Sequence, residues 1–161
     1  MQDMAFWKAI LLTLVIIAMA VFYVFVTSLL GFDEPWVAFV AVTVWSAIGM
    51  KLEQAPGIFI GSAVGLLITY GIDVLPELYG EAAVILPVLA IVLAIACKIK
   101  EMFPLVCNFG LFMFLTIGSS VHFFEQRLQL EYLQNLAIGA LCFWIIPWLI
   151  LKVRSGQTAD G

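Results

Sequence analysis

Six apolar runs, separated by short polar turns, account for almost the whole chain. Runs of this kind read as membrane spans, since about 20 apolar residues cross a hydrocarbon core about 30 Å thick. The first covers about Ala5 to Leu30 and stops at Gly31-Phe32-Asp33-Glu34-Pro35, where two acids and a proline do not belong in hydrocarbon. The second, Trp36 to Met50, reaches only about 22 Å as a helix, so it thins the bilayer, is shielded by its neighbours or spans in part. After a turn over residues 51–56 comes the third run, Gly57 to Ile72, with Pro56 at a helix entry where its missing donor is not needed. An acidic loop, Asp73 to Gly80, leads to the fourth, Ala82 to Cys97, which ends at Lys98-Ile99-Lys100-Glu101. The fifth, Met102 to Ser120, has Pro104 in its first turn and leaves through Gly118-Ser119-Ser120. The segment His122 to Glu131 predicts a short interfacial helix, because Phe123, Phe124, Leu128 and Leu130 suit the headgroup region. The sixth run is Tyr132 to Leu151. The pattern therefore predicts an all-α polytopic membrane protein: a six-helix domain over residues 1–154 and a disordered cytoplasmic tail over 155–161.

Charge sorts by side of these runs. Six spans place Lys8, Lys51, Lys98, Lys100, Lys152 and Arg154 on one side and Arg127 on the other, the asymmetry that sets inner-membrane topology in bacteria. Both termini are then expected in the cytoplasm of a bacterial cell, with a multi-pass chain in its inner membrane. Composition agrees, with 65% apolar and 11% charged residues against about 25% charged in a soluble domain. A net charge of -4 disfavours nucleic acid as a partner. Lys8 before an apolar run and Ala18-Met19-Ala20 resemble a signal peptide, but the run continues to Leu30, which predicts an uncleaved span. Cys97, Cys107 and Cys142 have neither zinc nor disulfide spacing and read as small packing residues.

Six spans form two halves of three in opposite orientation, and the halves echo each other. Pro35-Trp36 at the second run pairs with Pro104-Leu105 at the fifth, and Ile60-Gly61-Ser62 in the third pairs with Ile138-Gly139-Ala140 in the sixth. A 3+3 inverted repeat would put a transport site on its pseudo-two-fold axis. Gly57, Gly61 and Gly65 recur every four residues and share one helix face; with Gly139 they are candidates for close helix packing, a subunit interface or a pore lining being the alternatives.

Asn108 is the first candidate for a solute path. Read as mid-helix in the fifth run, its amide needs protein or water, because an unpartnered amide in hydrocarbon costs several kcal/mol on apolar transfer scales, roughly 4–8. Thr43, Trp45 and Ser46 in the second run, Thr116 in the fifth and Tyr70 in the third are further path candidates, although hydroxyls also close bonds within their own helices. Thr69 and Tyr23 fit the same cavity. Between the ends of the runs there is no Asp, Glu, Lys, Arg or His, so nothing there would bind a driving ion. His122, at the outer rim, reads as an interfacial histidine, with pH sensing as the alternative.

The entries Pro35-Trp36, Pro56-Gly57-Ile58-Phe59-Ile60-Gly61 and Phe103-Pro104 together resemble the domain-of-unknown-function 1097 family of small bacterial inner-membrane proteins. The likeness covers about Phe32 to Leu151 as an order of spans and turns. It implies six spans without an assigned activity, and a more distant likeness to the membrane halves of fusaric-acid-resistance and aromatic-acid exporters. At Leu105-Val106-Cys107-Asn108-Phe109-Gly110 the chain departs from the more Ala-, Thr- and Gly-rich stretch expected there, so no binding residue carries over.

Two functions fit. One is a homo-oligomeric permease or channel, embedded in the lipid bilayer, that passes a small uncharged or weakly polar solute without ion coupling. The other is a nonconducting membrane scaffold or accessory subunit. No acid, base and nucleophile constellation points to an enzyme, and no cofactor or metal is expected.

Overall fold

The computed structural model describes residues 6–32, 34–120 and 129–157, and all regular structure among them is helical. The helices are α1 (Phe6–Leu29), α2 (Trp36–Ala47), α3 (Ala55–Tyr79), α4 (Ile85–Ile99), α5 (Phe109–Gly118), α6 (Gln129–Ala140) and α7 (Ile146–Gln157). Short 3-10 turns, Leu52–Gln54 and Glu81–Val84, lead into α3 and α4, and a π-helical turn, Leu141–Ile145, joins α6 to α7 without a break. Three continuous stretches are long and apolar enough to cross a membrane: Leu52–Tyr79, Glu81–Ile99 and Gln129–Lys152.

Several expected boundaries move. The third run does not end at Ile72: α3 continues through Asp73, Pro76 and Glu77 to Tyr79, so the expected outer loop is helical. Pro76 lacks only its own N–H, while its carbonyl still accepts from Gly80, 2.9 Å away. Gly80, at φ +87, then ends the helix in a conformation suited to glycine. Asp73 therefore belongs to a helix and not to a loop. The fifth run is much shorter as a helix than expected, 10 residues beginning at Phe109. Pro104-Leu105 lies in an irregular turn and opens no helix, so that element of the echo with Pro35-Trp36 fails. The second helix stops at Ala47. The expected tail is helical through Gln157. His122, Arg127 and the rest of 121–128 lie outside the described residues, whereas Gln129 to Glu131 form the first turn of α6.

The core gathers at the crossing of α1, α2, α3, α5 and α6. Tyr23, Ala38, Ala41, Phe59, Leu66, Phe114, Leu136 and Phe143 are buried there. Tyr23, Phe39 and Phe143 form a ring cluster with centroids 5.4, 5.5 and 6.0 Å apart, spacing at which tilted and edge-on aromatic pairs attract. In contrast, α4 buries only Pro87 and Ala94, and α1 and α4 both turn long rows of Leu, Ile, Val and Phe outward.

Helices from the first and second parts of the chain pack against each other. Thus α3 lies against α5, and α6 lies against α2. Likewise α1 leans on α6 and α4 on α3, while α3 meets α6 and α2 meets α5. Glycines carry the α3–α5 and α2–α6 crossings. A Cβ on Gly61 would collide with the Asn108 carboxamide, one on Gly65 would stand 2.5 Å from the Leu111 carbonyl oxygen, and one on Gly139 would collide with Ala38. Across the seam, a Cβ on Gly110 would stand 2.5 Å from the Ile58 carbonyl oxygen, so the absence of side chains on both helices sets the distance.

Gly65→Ala should consequently lower stability by about 1–3 kcal/mol, the scale of overpacking against backbone that cannot yield. Gly71→Ala is the control, since its Cβ would find ordinary contacts at 3.6 Å from Leu75 and 3.8 Å from Pro87. Thermal unfolding in detergent should separate the two. Equal midpoints would show that the α3–α5 seam is looser than described.

Candidate functional site

Asn108 is a helix cap. Its backbone is extended, at φ -135 and ψ -178, and its Oδ1 accepts from the backbone N–H of Gly110 at 2.9 Å and of Leu111 at 3.4 Å. This is what an N-cap does: it satisfies orphan donors of the first turn. The other end of the amide is also engaged. Nδ2 donates to the carbonyls of Gly57 at 2.7 Å and of Pro104 and Leu105 at 3.1 Å. The expectation of an uncompensated mid-helix amide is thus corrected, because Pro104 and the cap geometry delay the helix to Phe109.

The turn before it is held in an unusual conformation. Glu101 and Phe103 take φ +53 and +51, the left-handed region that costs a non-glycine residue about 1–2 kcal/mol. Met102 N–H donates to the Cys97 carbonyl at 2.8 Å, closing α4, and Val106 and Cys107 N–H both donate to Phe103 at 2.9 Å. The chain so reverses between α4 and α5 and brings Lys98 over the Phe109 ring, its Nζ 4.9 Å from the centroid, where a cation meets the negative face of the ring.

Around Asn108 lies a cavity of about 420 Å³, lined by Glu53, Gln54, Gly57, Lys98, Leu105 and Phe109 among others. Ile48 and Phe109 also line a second cavity of about 440 Å³, walled by Val44 and Ala47 of α2 and by Phe112, Met113 and Thr116 of α5. Together they form one groove, with a charged mouth at the end of the bundle that carries Lys98 and an apolar slot running between α2 and α5. An open apolar groove of about 820 Å³ between α1 and α7 is the largest other depression described.

Of the expected path residues, the groove collects Asn108 and Thr116 and leaves out the rest. Thr116 is exposed and donates to the Phe112 carbonyl at 2.9 Å. Thr43 and Ser46 are exposed on α2 and donate to the carbonyls of Phe39 and Thr43, each at 2.7 Å; they line neither cavity, nor does the half-buried Tyr70. Trp45 is buried. Its indole N–H donates to the Lys51 carbonyl at 2.8 Å, and its own carbonyl accepts from Met50 N–H at 3.1 Å, so it ties the end of α2 to the start of α3. It borders a separate space of about 260 Å³ against α1 and Pro147. Gly57, Gly61 and Gly65 face the α5 segment, and Gly139 faces α2.

Sequence reasoning missed the mouth residues Glu53, Gln54 and Lys98, because charges in short turns read simply as solvated. Asn followed by an apolar run was the available signal for the cap. It also missed Gln129 and Asn135, buried on α6 with carboxamides that meet no partner among the described residues; the Tyr23 hydroxyl donates to the backbone carbonyl of Asn135 at 3.5 Å. Among the described residues no group of His, Cys, Asp and Glu is arranged to hold a metal ion.

Asn108→Ala should cost about 1–3 kcal/mol, since it removes the cap and the bond to Gly57 together. Trp45→Phe should cost about 1 kcal/mol, the worth of one hydrogen bond. Chemical unfolding in mixed micelles would measure both, and an unchanged Asn108→Ala midpoint would deny the amide its structural role. Comparison with protein-family models, with curated proteins and with solved structures finds no match for the chain.

Proposed function

We propose that the chain is a bacterial inner-membrane protein of six spans whose two inverted halves pass a small uncharged or weakly polar solute, without ion coupling, along the groove between α2 and α5. One observation carries this reading. The second helix of each half is short, 12 residues in α2 and 10 in α5, and the two face each other over the groove. Short apolar segments at corresponding positions of two halves are the best pointer to a binding site in inverted-repeat transporters. The exchange of α3 and α6 across the halves supports the same symmetry, and both termini then lie in the cytoplasm with Lys51, Lys98 and Lys152. Membership of the domain-of-unknown-function 1097 family, a non-enzymatic role and a homo-oligomeric state built on the apolar faces of α1 and α4 belong to the same proposal.

A nonconducting scaffold or accessory subunit is the second reading, and a specific observation favours it. The Asn108 amide is fully bonded within the protein, and the α3–α5 seam is closed by glycine contacts.

Proteoliposomes should show urea or glycerol flux above that of empty vesicles in stopped-flow light scattering. Thr116→Trp, which fills the slot from an exposed position, should reduce that flux at least about tenfold, because a blocked constriction admits no partial fit. Flux should be indifferent to a proton gradient and to Asp73→Asn, the acid in α3 with one buried, unpartnered carboxylate oxygen among the described residues. Flux that needs the gradient would reject uncoupled passage, and wild-type vesicles no faster than empty ones would favour the scaffold. Orientation has its own test. Lys51→Cys should resist impermeant thiol reagents added to intact cells, and labelling from outside would reverse the topology.

A further inference from the structure

We infer that the mouth and slot together form a site for an ethanolamine-type phospholipid of the surrounding leaflet, its headgroup between Glu53 and Lys98 and one acyl chain laid along α2 and α5. The inference rests on membrane placement and not on permeation. The groove is amphipathic along its length: a mouth carrying a carboxylate, an ammonium and the Gln54 amide continues, through Ile48 and Phe109, into a slot of aliphatic and aromatic side chains. A molecule that fits both parts has a charged end and an apolar body.

The charges select the end. Glu53 and Lys98 are both exposed and line one cavity, yet among the described residues no ion pair joins them, and Lys98 rests instead over Phe109. A phosphate beside Lys98 and a primary ammonium beside Glu53 would satisfy both. A choline headgroup has no N–H to give the carboxylate, and a glycerol headgroup brings no cation to it.

Geometry explains the chain. Helices of 12 and 10 residues rise only about 18 and 15 Å, so α2 and α5 leave part of a core about 30 Å thick without a protein wall. The slot is open along that side, with Phe109 61% and Met113 43% exposed. An acyl chain there supplies the missing contacts by dispersion, the force left to packing in lipid.

The test is lipid retention by the full chain, read by native mass spectrometry from micelles holding equal amounts of phosphatidylethanolamine, phosphatidylglycerol and phosphatidylcholine. The ethanolamine lipid should be retained about fivefold over the other two, a modest factor because exposed ion pairs are weak. Glu53→Gln should erase its advantage over phosphatidylglycerol, and Lys98→Gln should lower retention of all three. Both positions are exposed, so folding is spared, and the thermal midpoint would verify that. Met113→Trp should reduce retention by filling the slot, and soluble phosphoethanolamine should not compete. Equal retention of the three lipids would overturn the inference, as would a preference surviving both charge substitutions or competition by the soluble headgroup. Disulfide cross-linking between two Met113→Cys copies in membranes would show a second copy in the slot, and would overturn it too.

Discussion

The close approach of α3 and α5 is the constraint on which the rest of the bundle depends. Two helices can come to backbone distance only where neither has a side chain in the way, and Gly61, Gly65 and Gly110 clear that space. Between helices in lipid, apolar surface gains little by leaving a solvent as apolar as itself, so contact area and hydrogen bonds have to hold them. Asn108 supplies the bonds. One carboxamide starts α5, ties the turn from Pro104 and reaches across to the Gly57 carbonyl. By fixing where α5 begins, it also fixes how short α5 is, and hence that a groove exists beside α2.

Helices along the chain differ in length and packing. Both α1 and α4 are long, apolar and loosely packed. Both α2 and α5 are short, and α3 and α6 carry the glycines that let them cross α5 and α2. The two crossings differ in how they are finished, with a polar staple at Gly57 and an alanine contact at Gly139. Lys98, Glu53 and Asn108 line the same cavity, while the adjoining one is walled by apolar side chains and Thr116.

Helix class and the approximate place of each apolar run were legible because hydrophobicity is summed over many residues. The boundaries were not. Leu105-Val106-Cys107 has the composition of a helix but follows Pro104 and two left-handed residues, and local turn geometry, invisible to hydrophobicity, keeps it irregular. Asp73 and Glu77 looked like loop residues because acids are costly in hydrocarbon, yet a helix is free to continue beyond the apolar layer. Trp45 looked like a residue lining a solute path. Its partner, the Lys51 carbonyl, is a backbone group and leaves no trace in side-chain pattern. The glycine face was legible because its period of four matches one side of a helix, and such a period survives whatever the neighbouring helix turns out to be.

The π-helical turn between α6 and α7 has a consequence for the surface of the long helix it interrupts. Ile146 N–H reaches back five residues to the Leu141 carbonyl, so the backbone carries one residue more than a plain helix of the same rise would need. Each position beyond the turn is therefore rotated by about 100° from where an uninterrupted 3.6-residue count would put it. The side that packs inward through Tyr132, Leu136 and Gly139 is not the side that a continued count would select in α7. Deleting a single residue within Leu141–Ile145 would restore the plain count and leave Trp148 and Lys152 on their present bearing, whereas closing the turn into a plain helix at full length would rotate them by about 100°, so at this point in the chain length rather than side-chain identity decides which way the final helix faces.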